Sequence, residues 1–252
     1  MFAKSMGESE MNGQDMVPPV PAPTGASDTE VVPERSALGR LFGIFVDPRG
    51  VFASMRARPR FLLAFLIVLV FQTAFAILIF QTGIVRDTSV AQLEAKGKDP
   101  QQIEAMERFF DSPAAPIITT VSGDVAFGFG LLASAALLFF MGNFMLGGRL
   151  TFRHYVSVVA FSWVVSLVDH AVRLALILSR ESLDVRLGLG NLFGEEIGFL
   201  GRALDLATDP LFLWATAVAA IGVSVYARKG FGFGAAAVLP GFLIGILLQA
   251  IR

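Results

Sequence analysis

The sequence predicts an all-α integral membrane protein, a bundle of five transmembrane helices with interfacial amphipathic helices. Hydrophobic residues make up 54% of the 252 and charged ones only 16%, with a mean hydropathy of +0.66. Soluble domains run nearer ~45–50% apolar and about 25% charged. Five apolar stretches are each long enough to cross a bilayer, and the basic residues are spread unevenly among the segments that join them. Those three observations set the class.

Residues 1–35 are rich in Pro, Ser, Gly and acids and show no apolar periodicity, so they read as a disordered tail, with 36–252 as the membrane domain. The start lacks a basic region followed by an apolar core, and no cleaved signal peptide is expected. A basic collar follows, with Arg35, Arg40, Arg49, Arg56, Arg58 and Arg60 against Asp47 alone. Within it Leu38, Leu41, Phe42 and Phe45 share one helical face. Asp47-Pro48 supplies an N-cap and first-turn pair for a second short helix bearing Val51, Phe52 and Met55. Apolar faces beside arginines predict helices in the headgroup layer; packing against the rest of the protein is the alternative.

The spans are predicted at about 61–80, 125–146, 155–178, 211–227 and 231–251. At ~1.5 Å per residue four of them can cross a ~30 Å hydrocarbon core, while the fourth is the shortest and sits at the lower limit for a span. In the first, Gln72 and Thr73 are the polar interruptions. Trp214 and Tyr226 lie near the two ends of the fourth, where they would anchor it at the interfaces. In the fifth, Pro240 predicts a kink, and Gly241-x-x-x-Gly245 offers a small-residue face for close helix contact.

The collar, the 147–154 turn with Arg149 and Arg153, and the Arg228-Lys229 turn fall on one side of a five-span chain. The other side receives two longer and more acidic segments, 86–120 and 179–210. The positive-inside rule then predicts a cytoplasmic N-terminus in the cell (inner) membrane. Both outer segments predict surface helices. Asp99-Pro100 starts one that carries Ile103, Met106, Phe109 and Phe110, and Leu189, Leu192, Phe193, Ile197, Leu200 and Leu204 recur at near-helical spacing in the other.

Three segments together resemble a known family. They are Asp47-Pro48-Arg49-Gly50-Val51-Phe52 before the first span, Gly147-Gly148-Arg149-Leu150-Thr151-Phe152-Arg153 entering the third, and Asp209-Pro210-Leu211-Phe212-Leu213-Trp214 leading to Ile221-Gly222 in the fourth. Their order and spacing resemble the Yip (Ypt-interacting protein) domain family in its bacterial form, over roughly residues 36–250, with Asp209, Phe212 and Trp214 the most telling. The resemblance implies a five-helix membrane domain with a cytoplasmic N-terminus. Eukaryotic relatives work in vesicle traffic with small Rab-type GTPases, a role the resemblance does not carry to this chain.

The candidate intramembrane polar site comprises Asp124, Ser162, Ser166, Asp169, His170 and Arg173. At about 100° per residue Tyr155, Ser162, Ser166, Asp169 and Arg173 fall within about 60°, a polar stripe on an apolar helix. A charge at mid-bilayer costs about 2.5–3.5 kcal/mol even on lenient scales, so the stripe must face protein or water. Asp169 and Arg173 can pair at i, i+4, and Asp124 is available as a cross-helix partner. A packing pair and an ion or proton site are both open readings.

Other patterns are weaker. Gly188-x-Gly190-x-x-x-Gly194 follows no strand, which argues against a dinucleotide loop. Phe127-Gly128-Phe129-Gly130 and Phe231-Gly232-Phe233-Gly234 read as chance repeats at the starts of two spans. Glu195, Glu196, Asp205 and Asp209 read as a solvated acidic loop before a cation site. The absence of Cys excludes a thiol nucleophile and a thiolate metal site, and the two His stand in no HExxH pattern, which makes a zinc enzyme improbable. No cofactor and no nucleic-acid partner is expected. The sequence thus predicts a membrane organiser or adaptor, with the lipid bilayer and a membrane-protein partner or a homo-oligomer as its contacts. A small permease or ion-coupled carrier is the alternative.

Overall fold

A computed structural model describes residues 36–193 and 198–251. The chain divides into Met1–Val31 and Val32–Arg252, and every described residue belongs to the second unit. The expected tail, and Gly194, Glu195, Glu196 and Ile197 of the second outer segment, lie outside the described residues.

The collar forms two short helices. Ser36 caps α1, Ala37–Val46, by accepting from the Gly39 amide at 3.0 Å. Asp47 ends it and caps α2, Pro48–Ser54, through the Gly50 amide at 2.9 Å. Both helices pack on the bundle, and Val51, Phe52 and Met55 are fully buried. The predicted apolar face of α1 docks only in part, through Leu41 and Phe45. Arg40, Leu41 and Ile44 turn inward, while Leu38 and Phe42 are 63% and 73% exposed. Leucine and phenylalanine flank α1 on two sides, and periodicity alone cannot say which side meets protein.

The first span is α3, Leu62–Gln81, and Gly83 at φ +77 then starts α4, Ile84–Ala95. No helix is predicted over α4 from the sequence. α5, Pro100–Phe110, is capped by Asp99 as its sequence predicts. Its Ile103, Met106, Phe109 and Phe110 are half-buried as it packs on α4 and on α6. Arg86 of α4 pairs with Glu107 and Asp111 at 3.9 and 3.4 Å.

The second span, α6, Ala115–Phe139, starts ten residues before the predicted 125 and runs on as a π-helix over Phe140–Met145. Thr119, Thr120, Ser122 and Asp124 lower hydropathy without breaking a helix, so the prediction started late. The Phe127–Gly130 repeat therefore lies mid-helix, not at a helix start. The third span joins α7, Phe152–Ser162, and α8, Ser166–Arg180, through a 3₁₀ turn at Trp163–Val165. In the second outer segment the predicted periodicity resolves into a 3₁₀ turn, Leu189–Phe193, and a separate α9, Phe199–Thr208. α10, Pro210–Ala227, and α11, Phe231–Ala250, complete the bundle.

Five helical stretches are long and apolar enough to cross a membrane: Leu62–Gln81, Ala115–Met145, Phe152–Arg180, Pro210–Ala227 and Phe231–Ala250. Among the described residues there is no strand. The core gathers around α7 and α10, where Tyr155, Val158, Val218 and Val223 are fully enclosed, with Phe52 inserted from the collar. In a bilayer apolar burial drives little association, so close packing must hold the spans together. Glycines permit that approach. A Cβ on Gly222 would lie 2.8 Å from the Phe52 ring, and one on Gly234 would lie 1.9 Å from the Ala220 carbonyl oxygen.

Contacts across the bundle gather one end. His154 Nε2 lies 3.2 Å from the Arg56 carbonyl oxygen, and its ring meets Tyr226 at 5.0 Å. The Ser157 hydroxyl donates to the Arg60 carbonyl at 3.3 Å and is 3.0 Å from the Tyr226 hydroxyl. The collar, the 147–151 turn and the Arg228-Lys229 turn therefore share one basic end, while α4, α5 and α9 follow from the opposite ends of the spans.

Candidate functional site

The predicted stripe does not form one site. Its serines serve their own helix: Ser162 donates to the Val159 carbonyl at 2.9 Å and Ser166 to the Trp163 carbonyl at 2.6 Å. Those bonds sit at the 3₁₀ turn, whose tighter winding brings i−3 carbonyls within reach. Tyr155 is fully buried and donates to Asn143 Oδ1 at 2.9 Å.

Asp169 and Arg173 pair at 2.8 Å, as their spacing predicts. The cross-helix partner of Arg173 is Asp209, not Asp124. Nη2 donates to Asp209 Oδ2 at 2.6 Å and Nη1 to the Val185 carbonyl at 3.0 Å, so the guanidinium joins α8, the 181–188 segment and the start of α10. The Asp209 side chain is 2% exposed, and its other oxygen accepts from the Leu211 and Phe212 amides at 2.9 and 3.1 Å. One carboxylate therefore caps a helix, where the dipole favours negative charge, and neutralises an arginine. Sequence spacing could not find this pair, because 36 residues separate its members.

Asp124 faces the first span, where the Thr73 hydroxyl lies 3.0 and 2.9 Å from its two oxygens and 2.8 Å from the Leu69 carbonyl oxygen. A hydroxyl has one hydrogen to give, so it serves one of these acceptors at a time. His170, on α8, faces the first span as well: its Nδ1 lies 2.5 Å from the Ser166 carbonyl oxygen and its Nε2 2.5 Å from the Gln72 side-chain oxygen, and Phe75 packs edge-on at 4.7 Å. Gln72 and Thr73, the polar interruptions of the first span, are thus explained by their partners on the third and second.

Asp205 and Asp209, read from the sequence as part of a solvated acidic loop, are buried. Asp205 and Asp209 are 8% and 1% exposed, and Asp205 Oδ1 accepts from the Gly188 and Gly190 amides at 3.0 and 3.1 Å. A Cβ on Gly188 or Gly190 would lie 2.0 Å from the Asp205 carbonyl oxygen or 2.5 Å from its Cβ, so these glycines let the loop lie on α9. Among the described residues no group of three or more His, Asp or Glu is placed to hold a metal ion.

The segments that carried the family resemblance now have physical roles. Asp47-Pro48 positions α2 so that Phe52 meets Tyr226 at 5.5 Å and Phe161 at 6.3 Å. The turn after the second span is locked by Asn143, which sequence reasoning missed. Its amide nitrogen donates to the Leu150 carbonyl at 2.7 Å, and its oxygen accepts from the Leu150 amide at 3.1 Å. Gly142 leaves the space for Tyr155 beside it, since a Cβ there would lie 2.2 Å from the Tyr155 hydroxyl. The signal for that lock was a π-helix, a form common at functional sites but without a recognisable sequence period. In the third segment Asp209 is the cap and ion-pair partner. Phe212 stacks on Phe242 at 5.2 Å, and Trp214 stays 36% exposed on the outside of α10.

Five apolar spans tied by interhelical polar bonds define a multi-pass α-helical membrane protein. The chain belongs to the Yip family, for the Yip1 domain model matches residues 42–251. No curated protein and no solved structure matches the chain.

Proposed function

We propose that this protein is a non-enzymatic organiser or adaptor of the cell (inner) membrane, with residues 1–35 as a cytoplasmic tail and 36–252 as the five-span domain. The observation that carries the reading is the use to which the intramembrane charges are put. Arg173 is shared among Asp169, Asp209 and the Val185 carbonyl, and Asp209 also caps α10. Groups so engaged hold helices together rather than wait for a solute. Asp124 supports the second reading, a small ion- or proton-coupled carrier, because its partner Thr73 has one hydrogen to divide between it and the Leu69 carbonyl.

Capture of the full chain after crosslinking in intact membranes, followed by mass spectrometry, tests the adaptor. A protein partner or a second copy recovered in stoichiometric amount, and lost when residues 1–35 are removed or the small-residue face at Gly241 and Gly245 is filled, is the expected result. A chain that crosslinks to no protein and runs as a monomer overturns it.

Orientation is checked separately, since the chain has no Cys to give a background. In intact cells an impermeant maleimide should label Gln101→Cys and Leu192→Cys but not Arg149→Cys or Lys229→Cys. Labelling at 229 contradicts the cytoplasmic placement of the basic end.

A further inference from the structure

A groove of about 530 Å³ opens on the side of the bundle between α3, α6 and α7, lined by Phe61 and Phe65, by Val125, Gly128, Phe129, Leu131 and Leu132, and by Phe152, Arg153 and Val156. Its size falls within the ~300–1,000 Å³ of ligand pockets. It runs from the basic end, where Phe61 precedes α3 and Phe152 and Arg153 begin α7, toward the middle of α6. Residues 125 to 132 alone span about 10 Å of helix. The floor is open because Gly128 has no side chain, and a Cβ there would meet nothing within 4 Å.

Every lining residue but one is apolar or glycine. The exception, Arg153, is exposed at the mouth and has neither ion pair nor hydrogen bond among the described residues. A concave apolar surface at membrane depth offers water nothing to bond, and a cation at its surface end favours a negative headgroup. We infer that the groove holds one acyl chain of an anionic glycerophospholipid, with the lipid phosphate on Arg153. The adaptor reading is not needed for this inference.

Titration of the full chain with dioleoyl phosphatidylglycerol or dioleoyl phosphatidylcholine, read by native mass spectrometry from mild detergent, tests it. Wild type should retain one phosphatidylglycerol in preference to phosphatidylcholine. Gly128→Leu sets a side chain in the groove at a position where a Cβ meets nothing within 4 Å, and should weaken that site at least tenfold for both lipids, with thermal melting unchanged. Arg153→Gln should keep the chain-dependent binding and lose about fivefold in preference for the anionic lipid, the factor one basic residue contributes near an anionic surface. Glycerol phosphate in excess should not compete; if it does, the site is a phosphate site without the groove.

Lipid binding unaltered by Gly128→Leu overturns the inference, even if Arg153→Gln weakens it, because the attraction is then a property of the charged surface. A shift of oligomeric state in Gly128→Leu with lipid binding intact also overturns it, and assigns the groove to a second copy.

Discussion

Arg173→Gln will lower the yield and melting temperature of the detergent-solubilised protein more than Asp209→Asn, and Asp209→Asn more than Asp169→Asn. The order follows from what each change leaves behind. Without the guanidinium, Asp169 and the 2%-exposed Asp209 face one another with no cation between them. Without the Asp209 charge, Arg173 keeps Asp169, and the asparagine oxygen can still accept from the Leu211 and Phe212 amides. Without Asp169, the more enclosed pair survives. Breaking a buried pair costs about 3–5 kcal/mol. Arg173 is 28% exposed, so the loss should fall toward the lower end of that range. Arg173→Gln combined with Asp209→Asn should recover part of the loss, because no unpaired charge remains at the start of α10. Single variants as heat-stable as wild type would defeat the structural assignment of these charges and favour the carrier. A carrier would lose activity in Asp169→Asn or Asp124→Asn while staying folded.

Gly234→Ala will destabilise the bundle, and Gly232→Ala, two residues away on the same helix, will not. The Cβ of the first lands 1.9 Å from the Ala220 carbonyl oxygen and 2.3 Å from the Ser224 hydroxyl, while that of the second meets nothing within 4 Å. Overpacking costs typically about 1–3 kcal/mol. Here the obstacle is backbone of α10, which cannot rotate aside as a side chain could, so the upper part of that range is expected. Gly232→Ala should be neutral or slightly stabilising, since alanine outranks glycine in a helix by about 1 kcal/mol. Thermal melting of the two variants side by side decides the matter. Equal melting temperatures would mean that α10 and α11 are not in the close contact described.

The site was partly legible in residue order. Asp169 and Arg173 pair at a spacing any helix imposes, and Asp99, Asp47 and Asp209 stand before prolines as caps do. Gln72 and Thr73 were visible as interruptions, but only folding shows that they meet His170 and Asp124. The acids at 205 and 209 misled, because acidity in a connecting segment suggests solvent. In the folded chain one binds glycine amides and the other an arginine, and both are buried.

The length and apolar content of each span were enough to determine the five-span class, since a helix satisfies its backbone in lipid from its own residues. The family followed from three short segments read in order. Which face of α1 docks, that Phe52 fills the space Gly222 leaves, that Asn143 and Tyr155 lock a π-helix, and that Arg173 reaches Asp209 were decided only by the tertiary structure. Each depends on atoms brought within contact distance by helices whose relative rotation no single helix encodes. In a membrane, where apolar faces are equivalent to lipid, that rotation is set by close packing and interhelical polar bonds.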